Sequence, residues 1–293
     1  MSRTISKNIR HMLQRSTTKT VLGRFSAVPR PFLRWAGSKQ ALLQSIVPLL
    51  PKSYGRYYEP FLGSGALFFH LKPKRATLTD VSGDLIQVWK AVRDNHSEIL
   101  EYLRPLVPDR DLYYRIRSSR SEDPTVRSAE FIYLNKTCWN GLYRVNSKGQ
   151  FNVPYGAPRS DTIIDEENLL ECSRVLRGRE VSIRQSDFAE SLSRVKAEDL
   201  VYLDPPYVTK HNFNGFRDYN EKLFRWEDQI RLADLAERLR RKGAHVVVSN
   251  AFHKDILDLY PNFAAHTITR SSTLSSDKAF RGTVAEVVLT SSD

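Results

Sequence analysis

Beyond residue 55 the apolar positions fall into two alternating rhythms. Short runs of four to eight residues, with apolar side chains continuous or every second residue, predict strands at 56–61 (RYYEPF), 75–80 (RATLTD), 180–187 (EVSIRQSD), 199–204 (DLVYLD) and 244–250 (AHVVVSN). Between them the spacing changes to that of a helix. LFFHL (67–71) starts one, and DLIQVWKAV (84–92) places Leu85, Val88, Trp89 and Val92 on one face. EDQIRLADLAERLRRKG (227–243) does the same with Leu232, Leu235, Ala236 and Leu239, then stops at Gly243. Strands alternating with helices predict an α/β domain around a largely parallel sheet. Two late strands, 265–270 and 283–290, flank a polar loop and are expected to pair as an antiparallel hairpin.

One segment interrupts the rhythm. Residues 94–175 are far too long for an ordinary crossover between neighbouring strands. The segment begins with helical patterns (DLYYRIRSS, RSAEFIYLN) and continues into KTCWNGLYRVNSKGQFNVPYGAPR, rich in turn residues and aromatics. From 131 to 160 it carries four basic residues and no acid. It is expected to be an inserted subdomain suited to a polyanion; the alternative is a surface insertion over a small satellite core. The expected organisation is a basic extension (1–30), a catalytic domain (31–93 and 176–293) and the insertion (94–175).

Charge sharpens this picture. Lys and Arg total 45 against 33 acids, a net charge of +12, which invites a nucleic-acid partner but is also met on proteins that are merely basic. Residues 1–30 hold seven Lys or Arg and no acid. They read as an inert extension, a phosphate-touching arm or a transit-like leader. No run of about 18 apolar residues predicts a membrane span. Cys138 and Cys172 are expected to be reduced, in a cytoplasmic protein, and no His/Cys spacing predicts a metal site.

Candidate chemistry gathers at strand ends. Glu59, Asp80, Asp187 and Asp204 each fall at or near the C-terminal end of a predicted strand, the edge where open parallel sheets bind ligands. One such acid is usually a helix cap; four along one edge make caps alone a weaker account. In EPFLGSGALF, Gly63 and Gly65 give a tight strand-to-helix turn, and Asp80 follows about twenty residues after Glu59. That is nucleoside-binding spacing, without the Gly-Lys-Ser/Thr of a phosphate loop. In DPPY, Pro205 and Pro206 lack N–H groups and fix φ, so the turn is rigid. Asp204 and the Pro205 carbonyl then offer two acceptors beside the aromatic face of Tyr207, a receptor for a planar base bearing an amino group.

Taken together, these motifs resemble the Dam-type DNA adenine methyltransferases. The resemblance spans about residues 31–290 and rests on five stretches in the family's order: PFLRWAGSKQALL, YYEPFLGSGALFF, TLTDVSGDLI, LNKTCWNGLYRVNSKGQFNVPYG and VYLDPPY. It implies a Rossmann-like methyltransferase sheet with a small, mainly helical DNA-recognition insertion, double-stranded DNA as partner, and S-adenosylmethionine as methyl donor, leaving S-adenosylhomocysteine, with no metal. It implies Asp204, Pro205, Pro206 and Tyr207 as catalytic, and Trp35, Lys39, Glu59, Phe61, Gly63, Gly65, Asp80, Asp187 and Asp204 as cofactor-binding residues. Trp139 stands where relatives intrude an aromatic into the duplex; Asn140, Leu142, Arg144 and Pro154 match DNA contacts, and Arg34 replaces a guanine-reading lysine. The loop 270–282 suits phosphates. GATC is the expected site, and a monomer, with or without a cognate restriction endonuclease, the expected state. The rivals are an RNA or protein methyltransferase, a DNA-binding relative without catalysis, and a nucleoside-binding module. The first more often carries Asn at the position of Asp204 and lacks the hairpin; the intact Asp204, Tyr207 and glycine turn oppose the second; the basic insertion opposes the third.

Overall fold

The computed structural model describes residues 28–209, 224–271 and 283–291. The expectations for residues 1–27 and for the loop 272–282 lie outside these. Seven strands form one sheet: β1 (Tyr57–Glu59), β2 (Arg75–Asp80), β3 (Glu180–Gln185), β4 (Leu200–Leu203), β5 (His245–Ala251), β6 (Ala264–Ser271) and β7 (Thr283–Thr290). Their order is β3-β2-β1-β4-β5-β7-β6. β1 to β5 run parallel, β7 is antiparallel to β5, and β6 pairs with β7 as the expected hairpin. β1 is shorter than its apolar run suggested, because Pro60 has no N–H to continue the ladder.

Among the described residues, the helices of six or more residues are α1 (Ala66–Leu71), α2 (Gly83–Asp94), α3 (His96–Leu103), α4 (Arg110–Ser118), α5 (Pro124–Thr137), α6 (Glu166–Leu176), α7 (Trp226–Arg241) and α8 (Lys254–Leu259). Among the described residues, no helix is long and apolar enough to cross a membrane. Three helices of the 94–175 segment start on an aspartate whose carboxylate accepts backbone N–H bonds: Asp109 at α4, Asp123 at α5 and Asp165 at α6. Such caps satisfy donors that a helix end leaves open, and each contributes about 1 kcal/mol.

The inner strands β1, β2, β4 and β5 are buried on both faces, and the apolar side chains of β1, β4, β5 and β7 alternate between two cores. Tyr57, Leu200, Tyr202, Val247 and Val288 face one core. Tyr58, Val201, Leu203, Val246, Val248 and Val287 face the other, against α7 and α8. The 94–175 helices have no separate core. Their Ile99, Tyr113, Phe131 and Leu169 join the cluster that holds Phe68 and the fully buried Trp89. Cys138 and Cys172 are buried there as free thiols.

Candidate active site

The strand order fixes where the site lies. The chain leaves β1 for β2 and β3 on one side, then returns to β4 and β5 on the other. β1 and β4 are therefore neighbours whose following loops diverge, a switch point that opens a crevice beyond their carboxyl ends. Glu59 ends β1, and Asp204 directly follows β4. A cleft of about 630 Å³ opens there, lined by Trp35, Lys39, Glu59, Phe61, Asp80 and Asp187, and also by the Asp204-Pro205-Pro206-Tyr207 turn. The expected cofactor and catalytic residues thus share one cavity.

Its floor is the glycine turn. Gly63 and Gly65 have φ of 45° and 61°, left-handed values that disfavour any other residue. A Cβ on Gly63 would lie 2.8 Å from Trp35 and one on Gly65 2.4 Å from Trp89, so these glycines also admit two tryptophans. The Gly63 carbonyl accepts the Trp89 indole N–H, while its N–H donates to Asp80 Oδ2 at 3.1 Å. The Ser82 N–H donates to Asp80 Oδ1 at 3.0 Å. Each carboxylate oxygen has a second lone pair, which suits it to vicinal hydroxyls. Burial raises the Asp80 pKa. It pushes Glu59 up to about 8, although Glu59 accepts the Tyr57 hydroxyl at 2.9 Å. A buried carboxyl held neutral by desolvation gains most from a cation placed beside it. With Glu59, Asp80 and Asp204 in its lining and Lys39 paired to Asp204, the cavity suits a cationic nucleoside.

Asp204 is held from the opposite wall. The Lys39 ammonium, its side chain only 5% exposed, sits 2.7 Å from Asp204 Oδ1 and 3.9 Å from Glu286 Oε2. It also donates to the Gly37 carbonyl at 2.7 Å and lies 4.9 Å from the centre of the Tyr207 ring. The Tyr207 hydroxyl donates to Glu286 Oε2 at 2.7 Å. One buried network therefore fixes both the acid and the aromatic of the DPPY turn. Asp187 caps the helical turn Phe188–Ser191 and pairs with Arg231 at 2.9 Å at the cleft's far rim.

A second surface adjoins the cleft. Residues 138–156 form a β-hairpin: Cys138 pairs with Tyr155 and Val145 with Phe151. Its tip turns at Asn146–Gly149, where the Asn146 carboxamide oxygen accepts the N–H groups of Lys148 and Gln150. Trp139 (43% exposed), Asn140, Arg144 and Pro154 lie open to solvent, and Leu142 is half-buried. The Arg144 guanidinium is oriented by Asn152 Oδ1 at 2.8 Å. Arg34 is exposed, and it lies beside them: the Cβ direction of Gly141 (φ 63°) runs into the Arg34 side-chain stem. All six expected DNA-contacting residues thus belong to one neighbourhood of the surface.

Three residues escaped the sequence reading: Glu286, Tyr143 and Asn135. Glu286 is 3% exposed inside TVAEVVLT, and an acid in an otherwise apolar run was the available signal. Tyr143 lines the cleft, and Asn135 is buried behind the hairpin. Nothing in their local sequence distinguishes these two from core residues.

Comparison with known proteins bears on what such a site does. A family model described as D12 class N6 adenine-specific DNA methyltransferase matches residues 35–274. The chain is 35% identical over 269 residues to the type II methyltransferase M1.LlaDCHI of Lactococcus lactis subsp. cremoris, covering 89% of this chain and 95% of that one. It is 37% identical over 258 residues to the type II methyltransferase M.MjaIII of Methanocaldococcus jannaschii, covering 80% and 89%. It is 32% identical over 267 residues to the DNA adenine methylase of Escherichia coli strain K12, covering 88% and 94%.

Proposed function

This chain belongs to the D12 class of N6 adenine-specific DNA methyltransferases, and from that premise we propose how its residues divide the work. The cleft beyond β1 and β4 binds S-adenosylmethionine, the hairpin 138–156 with Arg34 reads a short duplex sequence, and the DPPY turn methylates an adenine flipped from that sequence. The observation that carries this reading is the convergence of Asp204 and Tyr207 with Glu59 and Asp80 in one cavity beside an exposed basic hairpin. GATC is the proposed sequence; a DNA adenine methylase stands among the relatives of matching length. Residues 94–175 form the recognition domain in this reading, and the rest of the described chain the catalytic domain. The protein acts as a monomer in the cytoplasm. The two relatives named type II methyltransferases favour a cognate restriction endonuclease.

The adenine amino group is a weak nucleophile, because its lone pair is delocalised into the ring. The Asp204 carboxylate and the Pro205 carbonyl accept hydrogen bonds from its two N–H groups and localise that lone pair on nitrogen; once the nitrogen carries the methyl group, it gives one of these protons to the Asp204 carboxylate, which passes it to solvent. Lys39 fixes the orientation of the Asp204 carboxylate, and Pro205-Pro206 remove the freedom of the turn. Tyr207, tethered through its hydroxyl to Glu286, offers its ring to the flipped base. Asp80 suits the ribose hydroxyls, Glu59 the cationic end of the cofactor, and Trp35 and Phe61 its apolar surfaces. When bound, S-adenosylmethionine supplies the electrophilic methyl group.

The test is expression in a host without adenine methylation, followed by methylation-sensitive sequencing. N6-methyladenine at every GATC is expected. Methylated adenine in a different motif would reject GATC alone; cytosine methylation would reject the base assignment, and no methylation would reject the enzyme reading.

A further inference from the structure

The cofactor cleft and the DNA-reading hairpin share parts. Tyr143 sits between Leu142 and Arg144, two hairpin positions assigned to DNA, yet its own side chain lines the cleft. Its ring stacks on that of Trp35, with centroids 5.5 Å apart and planes 20° apart, and its other neighbours are Phe131 at 5.2 Å and Phe151 at 6.0 Å. Its hydroxyl donates to Asp84 Oδ2 at 3.2 Å. Asp84 stands in the first turn of α2, four residues after Asp80, and Arg120 and Arg127 approach it at 3.6 Å and 3.5 Å. One side chain therefore touches the Trp35 wall and the loop after Asp80.

A second link runs behind it. The buried Asn135 accepts the Arg34 N–H at 2.8 Å and donates to the Arg34 carbonyl at 2.7 Å and the Gly141 carbonyl at 3.3 Å. The backbone leading into Trp35 is thereby clamped to the base of the hairpin. Because Gly141 packs against the Arg34 stem, no slack remains between the two segments. Any ligand that sets Trp35 and the Asp80–Asp84 loop also sets the position of Tyr143. Leu142 and Arg144 are its covalent neighbours, so their placement follows.

We infer that Tyr143 is a positioning residue that couples cofactor occupancy to the placement of the DNA-reading residues Leu142 and Arg144. This rests on the proposed division of the site. Coupling of this kind is reciprocal: cofactor tightens DNA binding by the same factor as DNA tightens cofactor binding, typically about 5- to 150-fold.

The experiment closes a thermodynamic cycle by calorimetry. S-adenosylhomocysteine is titrated into the full chain with and without a duplex carrying the sequence methylated in the host, and the duplex is titrated with and without S-adenosylhomocysteine. The wild type is expected to show equal tightening, of roughly tenfold or more, in both directions. Tyr143→Ala, with its fold checked by thermal melting, is expected to bind S-adenosylhomocysteine more weakly, because Tyr143 lines the cleft, and still to bind the duplex, yet the ratio of affinities with and without the second ligand should fall toward one. Tyr143→Phe keeps the stack on Trp35 and loses only the hydroxyl bond to Asp84, so it is expected to retain much of the coupling. Coupling in Tyr143→Ala equal to wild type would overturn the inference, because the ligands would then be coupled by direct contact. So would a wild type that binds both ligands without coupling. A wild type that fails to bind S-adenosylhomocysteine or the duplex would instead overturn the proposed function. If Tyr143→Ala does not fold, Tyr143→Leu takes its place and carries the same expectation.

Discussion

Removing Glu286 tests whether the network around the DPPY turn serves the reaction or only the fold. Its Oε2 accepts the Tyr207 hydroxyl at 2.7 Å and lies 3.9 Å from the Lys39 ammonium. A hydrogen bond to a charged acceptor contributes about 1.5–3 kcal/mol, and a neutral one about 0.5–1.5 kcal/mol. Glu286→Ala deletes the acceptor and releases Tyr207; Glu286→Gln keeps an acceptor but removes the charge. If Tyr207 must be held for the flipped base to be oriented, the alanine variant loses roughly 10- to 150-fold in the single-turnover rate. The glutamine variant loses a smaller factor, on the order of fivefold. Affinity for the duplex should change by less than the rate, since Glu286 is buried. The assay is single-turnover methyl transfer with thermal melting of each variant. A folded Glu286→Ala with a wild-type rate would refute the positioning argument.

Three further outcomes follow from the geometry. Glu59, pushed up to about 8 by burial, binds its proton more tightly folded than unfolded. Its contribution to the stability of the ligand-free protein therefore falls as pH rises from about 4.5 toward about 8, and Glu59→Gln should flatten that part of the melting profile; an unchanged profile would count against a neutral buried carboxyl. Gly65→Ala meets Trp89 at 2.4 Å with φ of 61° and should cost about 2–4 kcal/mol in denaturant unfolding, whereas a cost below about 1 kcal/mol would show that the turn relaxes. Arg144→Ala should weaken discrimination at one base pair by about 1–3 kcal/mol, measured as relative kcat/KM on single-base variants of the duplex, and unchanged preference would exclude Arg144 from readout.

Much of this was legible in the chain because local chemistry dictated it. β2 occupies the six residues its pattern predicted, and Gly63 and Gly65 marked a turn that only glycine accommodates. Asp80 and Asp204 stood at strand ends, where a parallel sheet opens its crevice. Glu286 was harder to see. β7 is apolar on both faces, so no in-out alternation marks position 286 as buried, and its partners Lys39 and Tyr207 are distant in sequence. The core beneath residues 94–175 was hidden for a related reason. Helical periodicity shows that Phe131 and Leu169 need burial, but not that Trp89 and Phe68 meet them in the same cluster. Tyr143 escaped because its role depends on Trp35 and Asp84 arriving from two other segments.

In the proposed reaction, Asp204 orients an adenine amino group for methylation. The most direct measurement mixes purified protein with methyl-labelled S-adenosylmethionine and a duplex containing the methylated sequence, in a single turnover, and identifies the labelled base. Wild type should place the label on the N6 of adenine, and Asp204→Ala should place none while still binding the duplex. Label on adenine from Asp204→Ala at the wild-type rate, or label on cytosine from the wild type, would contradict the account.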